Sequence, residues 1–567
     1  MTSTFHGLEV AKRGMMAQQT ALYTTSQNIA NANTPGYSRQ RVNFVQTEPY
    51  PAASMNRPQI PGQMGTGVEA GSIERVREQF LDVQYRNENN KLGYWDSRST
   101  ALSRLEDVFA EPSDTDGLSA VMNEFWQSLQ DLSVNPENEG ARSVVLQRAQ
   151  GVVDTFHNLS NSISDIQGDL GNQISVGIKD VNSILKQIAE LNQQIGEVEP
   201  NGYLPNDLYD ERDRLVDQLS TYLNVKVEKM PSGGNAQDIA EGQYKITLLD
   251  ANGNPVKDSG GNDVTLVNGS QFNQLGFSSN QPNQFTSTVT GPIDNLVVYQ
   301  PDDPSRMDND IVSGQSVASI SFYQNGNVTF SQGKLRGLIE SYGYKVGVDT
   351  NGDPITAGIY PDMEAKLDKL AYTFGTLFNT VHHYGYDLNQ NQGTDAFFTG
   401  LQSISDAAKN IQLNSNIGTK DIAASSNKLS GDGKNAINLG NIFSMDLSQP
   451  YTLVGVLDRN GNPVQLNFGN GAEVNVPITT STINSFYEGI IGGLGVASQQ
   501  AQRLSNNSSS LVQSADERRQ SVSSVSLDEE MTNLIKFQHA YNAAARNITV
   551  MDEMLDKVIN GMGVIGR

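Results

Sequence analysis

The 567-residue chain contains no cysteine. That removes disulfides, thiolate nucleophiles and cysteine metal sites together, and it suits an extracellular life without oxidative folding. Histidine is scarce, with five in all. His382 and His383 are adjacent, so on a helix they point about 100° apart and do not share an ion as an i, i+4 pair would. No H-E-x-x-H, G-x-S-x-G or G-x-x-x-x-G-K-[ST] motif occurs. Gly492–Gly495 sits in a helical context with no strand before it, unlike a dinucleotide loop. Basic residues number 39 against 63 acidic ones, a net charge of -24. Such a surface repels phosphates and argues against a nucleic-acid partner. Nowhere do about eighteen apolar residues run together, so no membrane span is expected. The opening MTSTFHGLEVAKRGMM has no apolar core or cleavage site of a secretory signal. Export would need a route that reads no cleavable signal.

What is present is periodicity. At this length two to four domains are expected. Leu8, Met15, Leu22 and Ile29 recur every seven residues, with Ala11, Gln18, Thr25 and Ala32 interleaved. This heptad seam runs until Pro35. Beyond it, Thr34 is pushed out of the α region by the proline, and Pro35 and Gly36 suit the two central places of a type II turn. Val42 and Phe44 then alternate with Arg41 and Asn43, as in a half-buried strand. At the other end Leu527, Leu534, Tyr541, Ile548, Leu555 and Met562 make a second seam, with Phe537, Ala544, Met551 and Val558 in its second row. Ser526 and Glu529 read as a capping box, Asp528 and Glu530 suit the positive helix end, and Gly561 and Gly563 stand where a stop belongs.

A third run, free of proline between Arg142 and Pro200, carries the stripe Ala149, Val152, Phe156, Leu159, Ile163, Ile166, Leu170, Ile174, Val181, Ile188, Leu191 and Ile195. Shorter helical runs cover 73–109, 118–132, 207–223, 363–381 and 483–511. Residues 231–345 and 441–478 differ, with Gly, Asn and Thr among alternating apolar residues. Their Asn-Gly pairs, at Asn252, Asn325 and Asn460, are strong hairpin signals. DANGNP, DTNGDP and DRNGNP resemble calcium loops, but glycine falls fourth, proline sixth and no glutamate stands twelfth. Hairpin turns are expected there. The stretch from Asp387 comes closer to a calcium loop, yet it lacks the sixth-place glycine and ends in Phe398. No catalytic constellation, cofactor site or metal site emerges.

Several of these segments resemble one family. NIANANTPGY, Asn28–Tyr37, is similar to the N-terminal signature of bacterial flagellar axial proteins. The continuation SRQRV and the stretch from Ser524 to Gly563 resemble the hook-associated protein 1 family, as do QGKLRGLIES, the run Tyr360–Asn389 and SGDGKNAINLGNI. The resemblance implies a structural subunit at the hook–filament junction, outside the cell, exported by the flagellar type III route. It implies a helical ring of copies of itself, contacts with hook protein and a second junction protein, and an export chaperone at the C-terminal region. Leu8, Met15, Leu22 and Ile29 would pack on the row formed by Leu527, Leu534, Phe537, Tyr541, Ile548, Met551 and Leu555. Asn28, Asn31, Thr34, Pro35, Gly36 and Tyr37 would shape the turn, with Arg39 on acidic groups or neighbouring subunits. The alternatives are a hook or rod subunit, or a junction protein whose β-rich insert also binds or adheres.

The expected fold is α+β and multidomain: a discontinuous helical rod built from both chain ends, terminal coiled-coil helices, and inserted β-rich outer domains. Residues 1–70 with 515–567 are expected to form the coiled coil and arm. Residues 71–230, 346–440 and 479–514 are assigned to the rod, 231–345 to a β-rich insert, and 441–478 to a smaller one.

Overall fold

The computed structural model describes residues 4–51, 54–55, 62–109, 117–258, 260–279, 281–303, 311–349, 352–469 and 471–561. It is an α+β assembly whose two ends lie together. Helix α1 (Thr4–Ala30) leads into an antiparallel arm of β1 (Gln40–Gln46) and β2 (Val68–Arg75). Helices α2 (Gln79–Phe109), α3 (Leu118–Val134), α4 (Glu139–Val198) and α5 (Asn206–Tyr222) follow. The helical run expected from residue 73 thus starts six residues later. Ile73 and Arg75 belong to β2, where Ile73 pairs with Val42 across the arm.

Helix α4 is the spine, 60 residues in one piece and about 90 Å long at 1.5 Å per residue. Asn138 caps it by accepting from the amides of Gly140 and Ala141. Its buried stripe includes Ala149, Phe156, Ile163, Leu170, Ile174, Val181, Ile188 and Ile195. The two four-residue steps from Ile166 through Leu170 to Ile174 keep the stripe facing the core as its partners change. Toward its end two buried asparagines bind the β-rich region. Asn182 donates to the carbonyl of Leu275 and accepts from its amide, and Asn192 donates to the carbonyls of Tyr244 and Gly269.

That region contains a four-stranded antiparallel sheet, β3 (Val225–Met230), β4 (Gln243–Leu248), β5 (Thr265–Asn268) and β6 (Gln271–Phe272). Beside it β7 (Gln274–Ser278), β8 (Gln284–Thr286), β9 (Asn295–Pro301) and β10 (Ile311–Ser321) close into a small barrel. A hairpin, β11 (Tyr323–Gln324) and β12 (Asn327–Val328), returns the chain to α6 (Lys334–Tyr342). A further hairpin, β13 (Tyr344–Val348) and β14 (Pro354–Ala357), precedes α7 (Ile359–Tyr384).

The C-terminal half alternates short elements. They are β15 (Phe398–Thr399), α8 (Ala407–Asn410), β16 (Gln412–Leu413), α9 (Lys434–Gly440), and the hairpin β17 (Tyr451–Leu457) with β18 (Pro463–Leu466). The chain ends in α10 (Ile483–Ser523) and α11 (Leu527–Gly561). Helix α10 runs twelve residues past the periodic stretch that announced it, where Ala515 stays buried and Arg519 pairs with Asp217. Met562 and Gly563 lie outside the described residues.

Phenylalanines fill the core where α3, α4 and α7 meet. Phe125, Phe156, Phe374 and Phe378 are fully buried there, with ring centroids 5.4 to 6.3 Å apart. The aspartate-led loops are turns. In each of DANGNP and DRNGNP the leading aspartate, Asp250 or Asp458, accepts from the amides two and four residues on. Asp387 accepts likewise from the amide of Asn391. These carboxylates organise their own backbone.

His382 shows what the core does to a titratable group. Its Nε2 accepts from the amide of Ala423, its ring packs on Phe397, and burial pushes it down to about 4. The ring stays neutral when folded and takes a proton when unfolded, so stability falls as pH drops from about 6.5 to about 4. Replacing His382 by Gln removes this term. The difference in unfolding free energy between the two proteins should shrink by about 3 kcal/mol between pH 7 and pH 4 in urea titrations. A constant difference would refute the assignment.

Candidate assembly interface

Helices α1 and α11 pack side by side and antiparallel. The thioether of Met551 lies over Gly7, and Asn28 bonds Glu530. Both helices cover 21 residues between those contacts, so the register is constant along the pair. On α1 Leu8, Met15, Leu22 and Ile29 are half-buried. On α11 Leu534, Phe537, Tyr541, Ile548, Met551 and Leu555 are half-buried and Leu527 is exposed. The fully buried positions on α1 are small or polar, among them Ala11, Ala17, Ala21 and Thr25. These let the helix approach α11 and the arm closely. Phe44 of β1 stands edge-on to Phe537, with centroids 6.0 Å apart, so the arm covers one flank of the pair.

The signature turn is the lock between helix and arm. Tyr37 donates its amide to the carbonyl of Thr34, and Gly36 takes φ +83°, the type II geometry. Thr34 donates through Oγ1 to the side chain of Asn31, which itself holds the carbonyl of Gln27. Pro35 is exposed at the tip. Asn28 is completely buried and uses both ends of its amide. Its Nδ2 donates to the Gln40 carbonyl at 2.8 Å and to Glu530 at 3.1 Å, and its Oδ1 accepts from the Tyr37 hydroxyl and the Gln40 amide, both at 2.9 Å. Burial, then Asp207, Asp210 and Glu530, push the Tyr37 hydroxyl well up, so it remains a donor.

Arg39 spans the two chain ends. It holds Glu530 through Nε at 2.8 Å and Glu529 through Nη1 at 2.6 Å, while its amide donates to the Ser523 carbonyl. Glu529, expected to reach back to Ser526, is drawn to Arg39 instead, since a guanidinium is a stronger partner for a carboxylate than one amide.

Beneath the turn lies a charge cluster that no motif announced. Arg75 of β2 contacts Asp210, Asp213 and Glu241, and Arg77 clasps Asp82. Arg86 of α2 reaches Asp213 and Asp217, Arg212 of α5 reaches Glu241, and Arg519 of α10 reaches Asp217. Tyr244 lies 3.4 Å beneath the Arg212 guanidinium, and Tyr85 lies 4.0 Å beneath that of Arg519. Burial opposes the charge on Asp213, but Arg77, Arg75, Arg86 and Arg212 outweigh it and hold the carboxyl well below the usual range. The available signals were Asp210, Asp213 and Asp217 on one face of α5, and Arg75 and Arg77 two apart. Asp210 also accepts from the amide of Ser38, which ties the cluster to the turn.

Three family descriptions match the chain. "Flagella basal body rod protein" covers residues 8–37 and "Flagellar basal body rod FlgEFG protein C-terminal" covers 518–561. "Flagellar hook-associated protein FlgK helical domain" covers 102–398. Flagellar hook-associated protein 1 of Bacillus subtilis is 42% identical over the full length of both chains. The chain belongs to the flagellar hook-associated protein 1 family. The Salmonella typhimurium relative of the same name is 25% identical over 97% of this chain and 98% of its own. The flagellar hook junction protein FlgK from Burkholderia pseudomallei shares the fold, with a TM-score of 0.53 over 78% of this chain and all of that one, at 15% identity.

As a member of that family the chain is a structural subunit of the bacterial flagellum at the hook–filament junction, associated with other axial components. The two matches to axial rod proteins fall on α1 with the signature turn and on the end of α10 with α11, the segments brought together here. Among the described residues no helix is long and apolar enough to cross a membrane, and no group of three or more His, Asp or Glu is placed to hold a metal ion.

The Arg39–Glu530 pair makes a direct prediction. Arg39→Ala and Glu530→Gln should each lower stability by about 2 kcal/mol. In a double-mutant cycle read by urea unfolding, their coupling should exceed about 1 kcal/mol. Additive effects would show that the contact does not join the ends. Asn28→Ala should strip amide-exchange protection from the first turns of α11 and leave α4 unchanged.

Proposed function

We propose that this subunit polymerises with copies of itself into the ring between hook and filament, using the α1–α11 pair as its inner layer. The observation that carries this reading is the incomplete burial of α11. Among its described residues only Glu530 is buried, while Leu527, Met531, Ile535, Val550, Met554, Val558 and Ile559 remain exposed. A helix with apolar residues on several sides, covered by α1 and at its start by the arm, lacks further cover, and other subunits supply it. The termini are the mobile part of the isolated subunit in this reading and become rigid on assembly.

Hook protein lies on one side of the ring and a second junction protein on the other. Residues 231–345, whose sheet β3 completes, and 441–478 supply the outward-facing inserts, and residues 71–230, 346–440 and 479–514, with α6 packed on them, supply the rod between the inserts and the inner pair. Export proceeds through the flagellar type III channel without cleavage, with a chaperone at the C-terminal region. A cysteine-free chain suits passage through a narrow channel, since nothing cross-links it on the way. The protein acts mechanically and is not an enzyme. Its aspartate-rich loops are spent on hairpins, and the His382 ring is packed in the core.

Replacing Leu534 and Leu555 together by serine should leave the outer folds intact and abolish junction assembly. Cells carrying that variant as their only copy should bear hooks without filaments in electron micrographs. Normal filaments would overturn the reading. Amide exchange on dilute wild-type protein should show α1 and α11 less protected than α4; full protection of both would equally count against it.

A further inference from the structure

The exposed apolar residues of α11 are grouped at its two ends. Leu527, Met531 and Ile535 are 48, 58 and 51% exposed, and Val550, Met554 and Val558 are 46, 48 and 48% exposed. Between them the outward positions are mostly polar: Gln538, His539, Asn542, Arg546 and Asn547. Within each trio the residues step by four, so each forms one ridge about 12 Å long, drifting about 40° per step around the helix. From Met531 to Met554 the helix advances 23 residues, about 35 Å along its axis and about 140° around it. The seam to α1, through Leu534, Tyr541, Ile548 and Leu555, lies outside that arc. Met531 stands about 60° to one side of Leu534, and Met554 about 100° to the other side of Leu555.

We infer that the first ridge of one subunit packs against the second ridge of a second copy of this chain, an inference that rests on the polymer reading above. The two ridges match in length and step. They also match in charge: Asp528 borders the first, while Arg546, Glu553 and Lys557 border the second with one net positive charge, all of them exposed. Pairing a ridge with its own kind would set Asp528 against Asp528, or two surfaces of net positive charge against each other. Unlike faces joined with an offset of about 35 Å do not close on a two-fold axis, so the contact passes from copy to copy.

The absence of native cysteine makes the test clean. Met531 and Met554, the ridge centres, are replaced by cysteine singly and together in full-length protein, as the only copy in motile cells. Detached flagella are oxidised with copper phenanthroline and blotted without reduction. About 35 Å of rigid helix separates the two positions, so no disulfide forms within a chain. The double variant should give a ladder of trimers and larger species, with each single variant at least ten-fold less cross-linked. Single variants that cross-link as well as the double one would overturn the inference, since like ridges would then be meeting. A double variant that stays monomeric on flagella with normal filaments would overturn it too, while leaving the polymer reading intact. Should the cysteine pair bear no filaments, a charge pair decides. Met531→Glu and Met554→Lys should each cut the fraction of cells with filaments at least ten-fold, and the combined variant should restore it to half or more. Failure to restore it would overturn the inference. Wild-type protein absent from the junction by antibody labelling would instead sink the polymer reading itself.

Discussion

The buried charge cluster between the arm, α2, α5 and α10 is the constraint on which the architecture turns. Its five arginines, Arg75, Arg77, Arg86, Arg212 and Arg519, face Asp82, Asp210, Asp213, Asp217 and Glu241. Ion pairs out of water add little net stability, because desolvation offsets most of the attraction. What they do impose is geometry. Each guanidinium has its carboxylates in one arrangement of the four elements, and any other arrangement strands a charge. The arm is therefore set at one angle to the rod, and Asp210 carries that orientation to the signature turn through the amide of Ser38.

Against that rigid base the terminal pair is bound chiefly at one end. Near the arm, Asn28, Arg39 and Glu530 make a dense polar lock, mostly out of water. Toward Phe5 and Ile559 the segment before β2 still reaches α1, through His6 and the Gly65 carbonyl, but α11 has little cover beyond its seam, and Phe5 and Ile559 are exposed. Hydrogen bonds and ion pairs thus define where α11 begins, while its far end depends on apolar contacts that leave much of its surface exposed. The fixed end ties the pair to the arm, and the far end carries the exposed apolar residues on which the proposed assembly rests.

The β-rich region is bound to the spine by different means. Asn182 and Asn192, both buried on α4, serve as acceptors and donors for backbone at the strand edges. A buried amide left unpaired would cost more than the bond returns, so these contacts select one seating of the sheet on the helix. The same logic places Asn28 at the turn, and in each case a short amide satisfies the exposed groups of a neighbouring backbone.

Where the backbone period or a local turn rule governs, residue order was sufficient. The uninterrupted run behind α4, the type II turn at Pro35 and Gly36, and the aspartate-led hairpins depend on neighbours within a few positions. Where partners lie far apart in the chain, residue order was mute. Ile73 and Arg75 scan as the start of a helix and become a strand because Val42 and Gln40 are there to pair with them. Glu529 scans as half of a capping box and turns to Arg39, about 490 residues away by sequence count. The arginine cluster draws on four separate segments, and in so charged a chain no spacing marks them. Local sterics and periodicity are written residue by residue, whereas burial and charge pairing belong to surfaces that exist only once the chain has folded.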